Sequence, residues 1–118
     1  MTLDLPENAG LLRIFVGEAD RLGDRPLYEA IVLEARTRGL AGATVLRGTL
    51  GFGVSSRLHT TKVLRLSDDL PIVIEIVDSE DALERLLPWL DEVVADGLVT
   101  LERVRVKRYA ATSRKPRA

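Results

Sequence analysis

Apolar and polar residues follow regular periods in several stretches of the chain, and four of these stretches predict β-strands. Alternation over Leu11–Val16 and over Pro71–Val77 is the period of a strand with one buried face. Two further apolar segments, Ala43–Leu50 and Val99–Arg108, also favour strands. The last segment changes phase near Glu102–Arg103, which predicts a β-bulge or a later strand start at that point.

Helical periodicity marks two segments between these strands. The first covers about residues 24–38, starts with an Asp-Arg-Pro signal, and stops at Gly39. The second follows Ser79 as N-cap, carries a stripe of leucines at helical spacing, and is predicted to stop at Gly97. Pro88 lies inside the second segment, so we expect a kink or the loss of one backbone hydrogen bond.

The resulting order is β-α-β-β-α-β, which predicts an α+β, ferredoxin-like sandwich with two helices on one face of an antiparallel sheet. We expect one domain over residues 11–109, a flexible lead-in over residues 1–10 and a disordered basic tail over residues 110–118. The polar stretch Gly17–Arg25 is predicted to be a loop. Phe15 and other apolar residues fall on the sheet face without helices, so we expect self-association.

Composition narrows the class of protein. The chain has 118 residues, 46% hydrophobic and 30% charged, as in soluble globular domains. Cysteine is absent, which excludes disulfides, thiolate nucleophiles and Cys-based metal sites. The N-terminus lacks the basic and apolar pattern of a signal peptide, so a cytoplasmic protein is expected.

Charge is distributed unevenly along the chain. Residues 103–118 hold seven basic residues and no acidic one, which leaves 10 of the 17 basic and all 18 acidic residues in the remainder. An acidic body of net charge −8 therefore precedes a basic end of +7. This end is either a solvated strand face with a loose tail or a site for a phosphate or an acidic partner. The acidic body and an aromatic content of 4% argue against nucleic acid.

The sequence offers little support for catalysis. His59 is the sole histidine, and no G-x-S-x-G nucleophile motif accompanies it. One histidine without cysteine also disfavours a zinc site within one chain. We therefore predict that the protein is not an enzyme and has no metal site.

Three glycines follow the second predicted strand, at Gly48, Gly51 and Gly53. One interpretation is a bend or a mobile loop, since glycine tolerates unusual backbone angles. The alternative is that their backbone N–H groups approach a phosphate, with basic side chains nearby. Those side chains are Arg47, Arg57 and Lys62.

Three segments, GLAGATVLRGTLGFG, SSRLHTTK and LPIVIEIVDSEDALERLLP, together resemble the PII-like superfamily, in the branch known as domain of unknown function 190. The resemblance covers residues 11–109. It implies a homotrimer whose sheets face inward, with ligands such as adenine nucleotides bound in clefts between subunits. It also implies that a T-loop, Gly48–Thr61 here, acts on a partner such as a membrane transporter or an enzyme.

By this resemblance, Gly51-Phe52-Gly53 begins the T-loop and Val94–Glu102 corresponds to the phosphate-binding B-loop. That stretch, ADGLVTLE, has one glycine and no lysine, unlike the glycine-rich B-loop of true PII proteins. Arg103 and Arg105 are therefore candidates for binding a small anionic ligand, together with His59 and the loop residues above. The alternatives are a ligand-free trimer that docks a membrane transporter and a metal-tolerance protein of the CutA type.

Overall fold

The computed structural model describes residues 5–53 and 69–110 of the chain. Within these residues the elements, in chain order, are β1 (Asn8–Gly17), β2 (Arg21–Leu22), β3 (Arg25–Pro26), α1 (Leu27–Thr37), β4 (Thr44–Arg47), β5 (Pro71–Asp78), α2 (Glu80–Val93) and β6 (Leu98–Arg105).

A four-stranded antiparallel sheet in the order β4-β5-β1-β6 forms one layer of the fold. Alternate residues of β1 and β5 are fully buried against leucines and isoleucines of α1 and α2, so both helices lie on one face. The predicted ferredoxin-like sandwich is confirmed. Its core consists of Leu12, Ile14, Val16, Leu27, Ile31, Ala35, Ile72, Ile74, Ile76, Leu83, Leu86 and Leu90.

The predicted ends of α1 are close to the observed ones. Pro26 precedes the first helical residue, where its missing N–H costs no hydrogen bond. Gly39 adopts φ +75° after the last turn, and its N–H donates to the Arg36 carbonyl at 3.0 Å. Leu40 N–H donates to the Ala35 carbonyl at 3.1 Å, which completes a Schellman motif. The helix stop at Gly39 is confirmed.

The start of α2 also agrees with the sequence, whereas its end does not. Ser79 Oγ accepts a hydrogen bond from Ala82 N at 3.2 Å, as expected of an N-cap. The helix is continuous through Pro88, so the proline leaves one backbone carbonyl without its helical partner. The helix ends at Val93, and the predicted stop at Gly97 is wrong because that glycine serves a different contact, described below.

Two predictions near the N-terminus are also wrong. Residues 8–10 belong to β1 and not to a flexible lead-in, because they pair with Arg103–Arg105 of β6. The predicted loop Gly17–Arg25 contains a small hairpin in which Arg21 faces Pro26. Gly23 turns this hairpin with φ +62°, a conformation that glycine adopts without strain.

The predicted bulge in β6 is absent, because the register with β1 is constant from Leu98 to Arg105. Leu101 lies opposite Leu12 on the face that carries the helices, whereas Val104 lies opposite Ala9 on the other face. The apolar pattern changes face where the helix layer ends, since Arg103 contacts Glu80 in the first turn of α2. The apolar residues of β6 therefore change face because the helix layer ends, and no bulge residue is inserted.

The face without helices is half-buried and carries an ion-pair cluster at its centre. Arg13 donates to Glu75 at 2.9 Å and to Glu102 at 2.7 Å, across three neighbouring strands. The hydrogen bond to Glu75 is the largest of the contacts that raise the pKa of Arg13, so the guanidinium stays charged. Beside the cluster, an apolar row crosses the sheet through Leu46, Val73, Phe15 and Leu98.

Candidate functional site

A cleft of about 380 Å³ opens at one end of the sheet. The end of β1 and the start of β5 form its floor, because Gly17 and Pro71 are paired at the terminus of both strands. The connection Asp96–Leu98 forms one wall, and Gly51–Gly53, which follow β4, form another. Four segments far apart in sequence therefore meet in one place.

Gly97 allows the α2–β6 connection to approach the sheet closely. A Cβ atom at this position would lie 2.5 Å from the Phe15 carbonyl oxygen and 2.8 Å from Val94 Cγ1. Real side chains do not approach that closely, so glycine is required by the contact and not by helix termination. Gly48 approaches β5 in a similar way, and its N–H donates to the Pro71 carbonyl at 2.7 Å.

Two aspartates hold the turn that follows β1. Asp20 Oδ2 accepts from Gly17 N at 2.9 Å, and Asp69 Oδ1 accepts from Ala19 N at 2.9 Å. Asp69 has φ +31°, so its backbone lies at the edge of the left-handed region. Glu18 N donates to the Leu70 carbonyl at 2.8 Å, so the turn and the start of β5 are fastened to each other.

The cleft combines apolar walls with acidic groups. Phe52 and Leu98 are 69% and 55% exposed, and they face the cleft with Phe15 and Pro71. Asp20, Asp69 and Asp96 also line it, whereas none of its described lining residues is lysine or arginine. A single chain therefore offers an apolar, negatively charged surface there, suited to the uncharged or ring-bearing part of a ligand.

The structure brings together some of the residues predicted from the sequence. Gly51, Phe52 and Gly53 line the cleft, and Gly48 packs beside it on Pro71. Arg47 lies next to this region, but its guanidinium forms an ion pair with Glu18, so its charge is partly neutralised. Arg57, His59 and Lys62 lie outside the described residues.

Arg103 and Arg105 lie away from the cleft within one chain. They are opposite Gly10 and Asn8 in the register, whereas the cleft adjoins Phe15 and Gly17 at the other end of β1. Arg103 pairs with Glu80 at 3.4 Å, and Arg105 pairs with Glu7 at 3.2 Å. They can reach a ligand in such a cleft only as part of a neighbouring chain.

Sequence reasoning missed the contribution of β1 and of the turn after it. Phe15, Gly17 and Asp20 line the cleft, although nothing in their local pattern marks a site. One feature of the sequence could have indicated this part of the site: Gly17 ends the first strand and is followed directly by a polar turn. The Asp96–Leu98 wall falls within the stretch that the family resemblance had associated with ligand binding.

No three carboxylate or imidazole side chains of the described residues converge on a point where a metal ion would be held. Asp20, Asp69 and Asp96 line the cleft but do not form such a group. In the same part of the chain, neither helix is long and apolar enough to cross a membrane.

The profile of the family DUF190, described as uncharacterized ACR, matches residues 9–106. The chain belongs to this family. A UPF0166 protein of Aquifex aeolicus is 39% identical over 98 residues, which cover 81% of this chain and 90% of the relative. Another, from Methanocaldococcus jannaschii, is 36% identical over 94 residues, covering 79% and 86%. The family resemblance read from the sequence is confirmed.

Solved structures similar to this DUF190 protein are PII-like. CPII, a nitrogen regulatory PII-like protein from Thiomonas intermedia K12 bound to ADP, AMP and bicarbonate, superposes with a TM-score of 0.61 at 19% identity, covering 84% of this chain and 94% of CPII. A protein assigned to PII-like signalling from Thermus thermophilus gives a TM-score of 0.57 at 21% identity, covering 84% and 89%. At these identities the likeness shows the fold.

Proposed function

We propose that this DUF190 protein is a PII-like regulatory protein that binds a small anionic ligand, with an adenine nucleotide as the first candidate. The observation that carries the proposal is the cleft in which Gly51–Gly53 meet Asp96–Leu98. The PII-like neighbour CPII was solved with ADP, AMP and bicarbonate, which supports the choice of ligand class. The segment after Gly53 would transmit binding to a partner protein.

The charge of the cleft constrains how such a ligand lies. Three carboxylates and the apolar walls suit a base or another ring, whereas phosphate groups would be repelled by this half of the site. The compensating positive charge must then come from residues outside one chain's described cleft. A site shared between two chains meets this requirement.

The uncovered sheet face supports self-association. The row Leu46, Val73, Phe15 and Leu98 is apolar, and its two outer members are 49% and 55% exposed. Burial of such a row stabilises a complex by roughly 25 cal/mol for each Å² removed from water. We assign this face to contacts between copies of the chain, and a homotrimer is the assembly we expect for a PII-like protein.

Calorimetric titration of the full chain with AMP, ADP, ATP and bicarbonate tests the proposal. Phe52→Ala should lower the affinity of a bound nucleotide by about 10-fold, because base–aromatic stacking contributes about 1–3 kcal/mol. Leu22→Ala is the matched control, since Leu22 is 38% exposed on the hairpin outside the cleft. Absence of binding for every ligand, with the assembly intact by light scattering, would refute the proposal.

A further inference from the structure

The turn at residues 17–20 supplies part of the cleft lining and is held by a distant segment of the chain. Glu18 N donates to the Leu70 carbonyl at 2.8 Å. Ala19 N donates to Asp69 Oδ1 at 2.9 Å, a contact between residues 50 positions apart. Both acceptors lie directly before β5. The position of this part of the cleft lining therefore depends on the residues that lead into β5.

Gly17 provides the space in which the Asp69 carboxylate lies. A Cβ atom at Gly17 would lie 2.9 Å from Asp69 Cγ and 2.9 Å from Asp69 Oδ2, and closer still to Oδ1. The three nearest heavy atoms all belong to this carboxylate. Gly23 and Gly39 are the glycines with positive φ in the described part of the chain, so the backbone angles of Gly17 do not require glycine. Gly17 is required by the contact with Asp69.

Core packing does not explain the conformation of Asp69. The residue is exposed and lines the cleft, and its φ of +31° lies where residues other than glycine are uncommon. We propose that Asp69 is a positioning residue for the ligand of the cleft. Its carboxylate lies against Gly17 and accepts from Ala19, and in this way it holds the cleft lining in the shape that binds the ligand. The inference rests on the proposed function, since it requires a ligand in the cleft.

The charge and the position of this carboxylate predict opposite effects of its removal. The acidic groups that line the cleft repel the phosphates of a nucleotide, so the loss of one negative charge alone should strengthen binding. The loss of the hydrogen bond to Ala19 should release the turn and weaken binding. A lower affinity of Asp69→Ala would therefore indicate positioning, because charge alone would raise the affinity.

Calorimetric titration of the full chain with AMP, ADP and ATP in turn provides the test. Asp69→Ala should bind about 5-fold more weakly, as expected for the loss of one hydrogen bond. Asp69→Asn should bind at least as tightly as the wild type, because its amide oxygen still accepts from Ala19 while the charge is gone. Gly17→Ala changes no charge but displaces the carboxylate, so it should also bind about 5-fold more weakly.

The double variant Gly17→Ala/Asp69→Ala separates this account from two unrelated effects. Without the carboxylate, the new Cβ atom loses the three atoms nearest to it. The double variant should therefore bind about 5-fold more weakly than the wild type, whereas independent effects would multiply to about 25-fold. Multiplied effects, or an affinity of Asp69→Ala equal to or above that of the wild type, would overturn the proposal.

Two further measurements complete the experiment. Asp24→Ala removes the same charge from an exposed aspartate outside the cleft and should change the affinity by less than about twofold. Hydrogen exchange of the Ala19 amide, measured by NMR without ligand, should be about 5-fold faster in Asp69→Ala and unchanged in Asp69→Asn. If the wild type binds no nucleotide, the proposed function fails and these exchange rates alone decide the role of Asp69. Equal rates in the wild type and Asp69→Ala would overturn that role.

Discussion

Asp78 is the fully buried polar residue of the described core, and its removal should destabilise the fold strongly. It ends β5 directly before α2. Its Oδ1 accepts from Ser79 N at 2.7 Å, and its Oδ2 accepts from Ala41 N at 2.9 Å. One carboxylate therefore joins the start of the second helix to the connection that follows the first helix.

Asp78→Ala leaves two backbone N–H groups without these acceptors. Each partly buried donor that loses its partner costs about 1–2 kcal/mol, toward the low end of the usual range. Loss of a negative charge beside the N-terminus of α2 adds about 0.5 kcal/mol. We therefore expect the free energy of unfolding to fall by about 2.5–4.5 kcal/mol, with a loss of roughly 10 °C in Tm.

Urea unfolding followed by circular dichroism, at one fixed protein concentration, measures this loss. Asp78→Asn should be intermediate, because its amide oxygen can still accept one of the two hydrogen bonds. The matched control is Asp81→Ala, which removes an exposed carboxylate from the first turn of the same helix and should cost about 0.5 kcal/mol. If Asp78→Ala cost no more than this control, the assignment of Asp78 as the link between these elements would be refuted.

Three other substitutions test separate features. Gly97→Ala places a Cβ 2.5 Å from the Phe15 carbonyl oxygen and should lower the free energy of unfolding by about 1–3 kcal/mol. Gly42→Ala is the control and should be neutral, because nothing lies within 4 Å of its Cβ position. Equal thermal denaturation temperatures for the two variants would contradict the close approach at Gly97. Arg13→Ala leaves two facing glutamates without the cation between them, so its deficit in Tm relative to the wild type should shrink as salt is added, because dissolved ions screen the repulsion between the carboxylates. A deficit that does not change with salt concentration would contradict this account. Pro88→Ala restores an N–H donor on the exposed side of α2, so it should raise the free energy of unfolding measured in urea by up to about 3 kcal/mol. A loss of stability would instead show that the proline is structurally required.

The strand and helix patterns were sufficient to predict the architecture. The alternation of Pro71–Val77 has the period of a strand, and the leucine stripe after Ser79 has the period of a helix. In each element the apolar residues then lie on one face, which is the face that is buried. Gly39 and Ser79 mark helix ends through local hydrogen bonds that involve only neighbouring residues. Features that depend on short-range contacts were therefore predictable from sequence.

The errors occurred where a distant segment decides the outcome. Gly97 resembles a helix stop in sequence, but its role is set by the Phe15 carbonyl more than eighty residues earlier. The change of phase in β6 resembles a bulge, but it reflects the end of the helix layer above the strand. Local patterns do not contain the position of the opposing element.

The candidate site divides in the same way. The sequence pointed to Gly51–Gly53, because glycines between predicted strands are distinctive and the family resemblance placed a functional loop there. It did not reveal that Asp20 and Asp69 share the cleft, or that Arg103 and Arg105 lie at the far end of the sheet. The segregation of charge along the chain was visible in sequence, but its direction in space was not.

The amino-acid sequence by itself determined the two helices, the strands of the main sheet, their order and the family, because periodicity, helix ends and motif order are recorded residue by residue. Only the tertiary structure decided which end of the sheet carries the cleft and which carries Arg103 and Arg105. The physical reason is the antiparallel pairing of β1 and β6, which places Leu98 beside the cleft and Arg105 at the opposite end. The register between these two strands, which are distant in sequence, therefore fixes how far from the cleft each residue of β6 lies.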